Sequence, residues 1–283
     1  MVDKSKLPKV KYHPTDKYMN AVIESYENYR EEERLTTDRG RRVEFLTTMR
    51  ILREWIEQKK LCILDVAAGT GVYAFPLSKE GHEVTATDIT PRHVQIMNQI
   101  IKEKGYPIKT AVMDACNLDG IPDESYDIVL NMGPFYHLTD FDAREKCLAE
   151  CLRVLKKDGL LVTAYIPRFS VFAYVALQNP NYLNEVLSKQ IISTGTLHSD
   201  DDYCFWTDTC YATVQEMNDL YHEHGLDIVD HFAQDGISPH FKGNMSAWSE
   251  EQYATWCEYH YSICREPSIL GSSNHVVIIG KKK

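Results

Sequence analysis

No apolar run in these 283 residues approaches the roughly 20 that a helix needs to cross a bilayer. The opening residues, Met1-Val2-Asp3-Lys4-Ser5-Lys6, are charged and lack the apolar segment of a secretory signal. A cytoplasmic protein without a membrane partner is the expectation. Positive charge is also in short supply. The 31 Lys and Arg stand against 41 Asp and Glu, a formal net charge of -10. Tracking phosphates takes clustered positive charge, so nucleic acid is not the expected partner. Eight cysteines are present, yet none forms a Cys-x-x-Cys pair, and no His-Glu-x-x-His pattern occurs among the eleven histidines. Cys147 and Cys151, one helical turn apart, read as burial on a helix face rather than as a metal pair. His222 and His224 are two apart, which on a helix points them in different directions. No metal is expected, and the thiols are expected to be reduced. Internal repeats and low-complexity segments are absent as well. What remains, 43% hydrophobic and 25% charged residues, suits one large globular domain or a core with an elaborate cap.

The periodicity begins helical. Tyr18, Val22, Tyr26 and Tyr29 recur at three- and four-residue spacing within 15–35. A second stripe, Phe45, Leu46, Met49, Leu52 and Ile56, predicts a helix over about 42–59, with Thr36 to Gly40 as a loop between them. From residue 61 the pattern changes. Strands are predicted at 61–66, 83–87, 107–113, 126–131 and 160–166, with helices at 72–79, 91–104 and 141–155. Such alternation implies a doubly wound parallel sheet. Beyond Pro167 the order blurs. Residues 169–191 look helical but are interrupted at Asn179-Pro180-Asn181, and 195–210 are polar and aromatic. A helix at 213–224, a strand at 226–232, a helix at 248–264 and a last strand at 274–279 follow. The last strand lacks an ordinary crossover helix before it, which suggests that it runs antiparallel.

The strand Ile63-Leu64-Asp65-Val66 runs into Ala67-Ala68-Gly69-Thr70-Gly71, and a second strand ends about 20 residues later at Asp88. Glycine lets the backbone approach a ligand where a Cβ would clash, and the following helix presents free N–H groups. An acid at the end of the second strand suits a grip on ribose hydroxyls. The turn alone also fits Gly-x-Gly-x-x-Ala, a dinucleotide fingerprint. Three features favour a cationic nucleoside. Asp65 at a strand tip would bind an ammonium and repel a pyrophosphate. Asp114-Ala115 follows the third strand, where an acid can accept from an adenine amine. The trailing last strand is the third feature.

Together Leu64-Asp65-Val66-Ala67-Ala68-Gly69-Thr70-Gly71, Asp88, Met113-Asp114-Ala115, Tyr126 to Asn131 and Leu152 to Val162 resemble the class I S-adenosylmethionine-dependent methyltransferases of the small-molecule type. The resemblance implies a Rossmann-like sheet of seven strands, the last antiparallel, with helical cap insertions. On this reading 1–60 form an N-terminal helical cap and 61–168 the cofactor-binding core. Residues 169–210 are a cap insertion, and 211–283 complete the core with a second insertion at about 238–265. The resemblance also implies roles. Asp65, Ala67 and the turn Gly69, Thr70 and Gly71 would hold the methionine part. Asp88 and Ile89 would hold the ribose side, and Asp114 and Ala115 would face adenine. Asn131 and Met132 would line the methyl-transfer face. Tyr29 and Arg34 on the N-terminal helix would reach the methionine carboxylate, or Arg34 would instead partner its neighbours in Arg30-Glu31-Glu32-Glu33 on an exposed helix face. The family commonly has Gly where Ala67 stands.

Methyl transfer from a sulfonium is an in-line displacement that needs alignment and exclusion of water. The loop Asn131 to Leu138 resembles the Gly-Pro-Leu-Tyr-His-Leu loop of such enzymes and offers His137, with Tyr136 beside it, as catalytic candidates. His137 is the candidate base because an unperturbed imidazole titrates near neutrality; the alternative is that it shapes the loop or packs against adenine. The two insertions carry many aromatics, among them Tyr174, Tyr182, Phe205 and Trp206 in the first and Trp248, Tyr253 and Trp256 in the second. These either wall an acceptor pocket or form the cap's own core. The expected activity is methylation of a small molecule by a monomer or homodimer, with S-adenosylhomocysteine as the second product. An NAD- or NADP-dependent oxidoreductase and a non-catalytic binding protein on the same fold are the alternatives.

Overall fold

The computed structural model describes residues 19–28, 31, 35, 38–56 and 60–283. Its centre is a sheet whose strands are buried because helices cover both faces. The strands are β1 (Cys62–Val66), β2 (Glu83–Asp88), β3 (Lys109–Val112), β4 (Tyr126–Asn131) and β5 (Leu155–Pro167). They lie in the order β3-β2-β1-β4-β5, all parallel. Two later strands, β8 (Leu226–Ala233) and β9 (Val276–Lys282), extend it. β9 inserts between β5 and β8 and is antiparallel to both. This is the seven-stranded sheet that the sequence predicts, with its last strand reversed.

Helices α3 (Ala74–Lys79), α4 (Pro91–Lys104), α5 (Phe141–Val154) and α8 (Val214–Glu223) connect these strands. Their ends follow local chemistry. Pro91 opens α4, and Gly105 closes it at φ 72°. The Asp140 carboxylate accepts from the Ala143 N–H at the start of α5. Thr213 and Glu216 form a reciprocal capping pair on α8.

Helix α1 (Met19–Asn28) lies within the predicted 15–35, and α2 (Arg39–Trp55) starts three residues before the expected 42. The reason is Asp38, whose side chain accepts from the Arg41 N–H and draws Gly40 into the helix. The first insertion folds as α6 (Arg168–Gln178) and α7 (Glu185–Thr194), broken at the Asn179-Pro180-Asn181 interruption. Two short strands not anticipated follow, β6 (Thr196–Leu197) and β7 (Thr209–Ala212). β7 pairs in parallel with Ile166 and Pro167, the end of β5 that β9 leaves uncovered. The insertion is thereby stitched onto the carboxyl end of the sheet.

The second insertion contains the short helices α9 (Lys242–Met245) and α11 (Pro267–Leu270) and the longer α10 (Glu250–Ile263). It packs on α2 around a small core of its own, with Val43, Met245 and Tyr253 buried and Trp248 and Trp256 against them. Arg265 clamps Asp230 with two nitrogens and also reaches Glu54, tying α10 to β8 and α2. Cys147 and Cys151 are fully buried on α5. Among the described residues no helix is long and apolar enough to cross a membrane.

Candidate cofactor cleft

The sheet order reverses direction between β1 and β4, and in open α/β sheets ligands settle outside the strand ends at that point. A cleft of about 830 Å³, counted to its open mouth, lies there. Its floor is built from strand ends. β1 and the turn after it supply Asp65, Ala67 and Gly69, β2 ends at Asp88 with Ile89 beyond it, and the residues just past β3 and β4 supply Asp114, Ala115 and Met132. Tyr136 and His137 form part of the far wall, and Val22, Tyr26 and Glu31 close it from the α1 side.

Asp65 is 1% exposed, and neither of its oxygens has a hydrogen-bond partner among the described residues. Burial pushes its pKa up to about 8, and the Asp88 charge adds to the rise, against a weaker pull from the Ala74 amide. A buried acid in that condition is stabilised by a cation. Asp88 by contrast is pinned. Its Oδ2 accepts from the Gly69 N–H at 2.8 Å, and its Oδ1 from the Thr90 N–H at 2.8 Å and from His93 Nδ1 at 3.2 Å. The same carboxylate thus shapes the glycine turn and stands in the cleft wall. Burial lowers the His93 pKa, but the hydrogen bond and charge of Asp88 outweigh it and the net shift is upward.

The turn needs left-handed backbone. Gly69 has φ 57°, and a Cβ on it would meet Glu31 Cγ at 3.2 Å. Ala67, the departure from the family's Gly, is held at φ 55°, a region that costs an L-residue about 1–2 kcal/mol.

Both ring nitrogens of His137 are engaged. Nδ1 lies 2.9 Å from the Asp208 carbonyl oxygen, which can only accept, so Nδ1 carries the proton. Nε2 then accepts from the Tyr26 hydroxyl at 2.9 Å. Burial pulls the His137 pKa down to about 4. The expectation of an imidazole titrating near neutrality does not hold in this structure, because no charged partner offsets the desolvation. The Tyr136 hydroxyl donates to the Met132 carbonyl at 3.3 Å.

Three of the candidates are not on the cleft wall. Asn131 is 0% exposed, because neighbouring strand residues face opposite ways and Met132 takes the wall; its side-chain amide has no hydrogen-bond partner among the described residues. Gly71 is closed off by Phe75, whose ring would lie 2.7 Å from an added Cβ. Thr70 is buried beside it. Tyr29 and Arg34 lie outside the described residues. The sequence reading missed Glu31, Tyr73, Thr90 and His93 as cleft residues. His93 had a signal: with Pro91 as the first helical residue, position 93 faces back toward the end of β2.

Comparison with known proteins agrees with this geometry. Residues 63–159 match the sequence profile of the family described as "Methyltransferase domain". A ubiquinone biosynthesis O-methyltransferase of Cereibacter sphaeroides is 28% identical over 170 residues, 60% of this chain and 62% of that protein. The match therefore spans less than two thirds of that relative's length. An uncharacterized methyltransferase of Bacillus subtilis, YcgJ, is 27% identical over 158 residues, 55% of this chain and 60% of the relative. Among solved structures, the PH0226 protein of Pyrococcus horikoshii superposes with a TM-score of 0.58 at 16% identity, covering 90% of this chain and 93% of that one. The 1,6-didemethyltoxoflavin-N1-methyltransferase of Burkholderia thailandensis, solved with S-adenosylhomocysteine, superposes with a TM-score of 0.54 at 16% identity, covering 94% and 89%. Residues 63–159 thus match the methyltransferase-domain family, and the chain around them shares the fold of these solved structures.

Proposed function

We propose that this protein transfers a methyl group from S-adenosylmethionine to a small-molecule acceptor. The observation that carries the proposal is the buried carboxylate of Asp65 at the tip of β1, beside a glycine turn and without a hydrogen-bond partner among the described residues. With Asp88, Asp114 and Glu31 in the same cleft, the site presents four acids to its ligand. A pyrophosphate would be repelled there, whereas an ammonium or sulfonium would be held. When bound, S-adenosylmethionine supplies its methyl group as an electrophile on a sulfonium.

The remaining work belongs to the chain. Asp65, Ala67 and Gly69 would hold the amino-acid end, with Tyr29 and Arg34 as further candidates. Asp88, braced by His93, would take the ribose, with Ile89 beside it. Asp114, Ala115 and Met113 would receive the adenine. Thr70, Gly71 and Asn131 would act from behind the wall, by setting the turn and the end of β4. Tyr26, Met132 and Tyr136 exclude water from the transfer face. His137 holds the Tyr26 hydroxyl through its unprotonated Nε2. An acceptor O–H or N–H that displaces Tyr26 would meet the same nitrogen, which orients that proton rather than fully removing it.

Calorimetric titration with S-adenosylhomocysteine tests the cofactor site. Asp88→Ala removes the ribose partner and loosens the Gly69 turn, so affinity should fall at least tenfold. Unchanged affinity would sink the assignment. An acceptor screen that detects S-adenosylhomocysteine release tests the activity.

A further inference from the structure

A second cavity, about 1430 Å³ to its open mouth, lies behind the far wall of the cofactor cleft. The partition is made of adjoining rings, one facing each cavity. Trp206, which lines the second cavity, has its ring 4.8 Å from the His137 ring and 6.1 Å from that of Tyr26. His275, also on the second cavity, has its ring 6.2 Å from that of Tyr136. The first insertion contributes Tyr174, Tyr182, Phe205 and Trp206 to this cavity.

Against these rings stand two buried acids. Glu44 of α2 and Asp235, just beyond β8, have side chains 5% and 2% exposed. His275 Nδ1 lies between them, 3.5 Å from Glu44 Oε2 and 3.2 Å from Asp235 Oδ2. Asp235 is held in place by its other oxygen, which accepts from the Ser273 hydroxyl at 2.8 Å and from the N–H groups of Asn274 and His275 at 3.1 and 2.9 Å. The trio sets two carboxyl groups against one imidazole. The basic groups on the cavity are already engaged: Arg41 pairs with Asp38 at 3.6 Å, and the Lys242 ammonium donates to Gln178 at 3.0 Å.

Aromatic faces around a buried acidic pole are the chemistry that selects an organic cation. Building on the methyl-transfer reading, we infer that this cavity is the acceptor site and that the acceptor carries an ammonium group anchored between Glu44 and Asp235. The anchored nitrogen is protonated and therefore not the methylated atom. The nucleophile lies at the other end of the molecule, toward Trp206, Tyr26 and His137. A divalent metal ion could use the same three ligand atoms, which lie within 4.8 Å of one another, but it would leave the rings without a role.

The test titrates the full chain, saturated with S-adenosylhomocysteine, with phenethylamine, its neutral analogue 2-phenylethanol, the anion 3-phenylpropionate, and Mn²⁺ or Zn²⁺ alone. The amine should bind at least tenfold more tightly than the alcohol, and the anion more weakly than either. Glu44→Gln should bring the amine to the level of the alcohol while leaving S-adenosylhomocysteine affinity within twofold, which also verifies folding. Trp206→Leu, at a ring 41% exposed, should weaken the amine several-fold and serves if the Glu44 variant does not fold. Equal binding of amine and alcohol, or metal binding lost in Glu44→Gln without amine binding, would overturn the inference alone. Failure of the wild type to bind S-adenosylhomocysteine would instead bring down the methyl-transfer reading itself.

Discussion

Asp65 and Ala67 are two residues apart, and each trades stability for a site. The Asp65 carboxyl, raised to about 8 in the fold, titrates near 4 when unfolded. Between those values the folded chain binds more protons than the unfolded one, so this group makes stability fall as pH rises from about 4 to about 8. Asp65→Asn should flatten that slope and raise the melting temperature of the ligand-free protein at pH 8. The same change should weaken S-adenosylhomocysteine binding. In the wild type, affinity should strengthen from pH 6 to pH 8, because the ligand's ammonium favours the ionised acid and binding expels a proton. Calorimetry in buffers of different ionisation enthalpy reads that proton directly, and a pH-independent affinity would contradict the account. Ala67→Gly relieves the left-handed strain but frees the unfolded backbone, for a net gain of about 0.5–1 kcal/mol in a chemical melt. Asp65 and Asp88 are legible in the sequence because an acid closing an apolar strand is a local pattern. Tyr26 and Glu31 reach the cleft from the N-terminal segment and His93 from α4, and that convergence is tertiary. The His137 pKa is equally hidden, since burial sets it and no neighbouring residue in sequence reports burial.

Among the elements, α5 holds down the loop that leads from β3 to β4. Arg153, near its end, pairs with Glu150 and Asp123 and donates to the carbonyls of Leu118 and Ile121. Glu150 in turn accepts from the Leu118 N–H. Arg153→Ala should cost about 2–3 kcal/mol in thermal or urea unfolding, as several charge-assisted bonds go at once. It should also weaken S-adenosylhomocysteine binding, because Asp114 and Ala115 stand at the start of that loop. A loss below about 0.5 kcal/mol would assign the network to the solvated surface. The main helices and strands are legible because their periods persist over many residues. β6 and β7, two and four residues long, fall below any such window. Yet β7 is what fixes the first insertion to the end of β5.

At the scale of the molecule, the two insertions divide the tasks that the sequence left open. Aromatics of the first line a cavity, whereas those of the second pack against α2. Composition does not separate these uses, since a ring in a core and a ring in a wall are the same residue until packing is known. The second core shares no residue with the cofactor cleft. Tyr253→Ala should therefore cost about 3–5 kcal/mol of stability, as for other large aromatic truncations, and leave S-adenosylhomocysteine affinity unchanged. A parallel loss of affinity would show that α2 transmits strain from one core to the other.

The position of β9 in the sheet has a consequence for biosynthesis. Residues 276–282 fill the slot between β5 and β8, so a ribosome must make almost all of this sequence before the slot can close. Until then the nascent chain holds two strand edges, Leu160–Tyr165 and Leu226–Ala233, with their backbone groups facing no partner from β9. Such edges invite pairing with other chains. Expression yield should thus depend on chaperone supply during translation more than the stability of the finished protein would suggest.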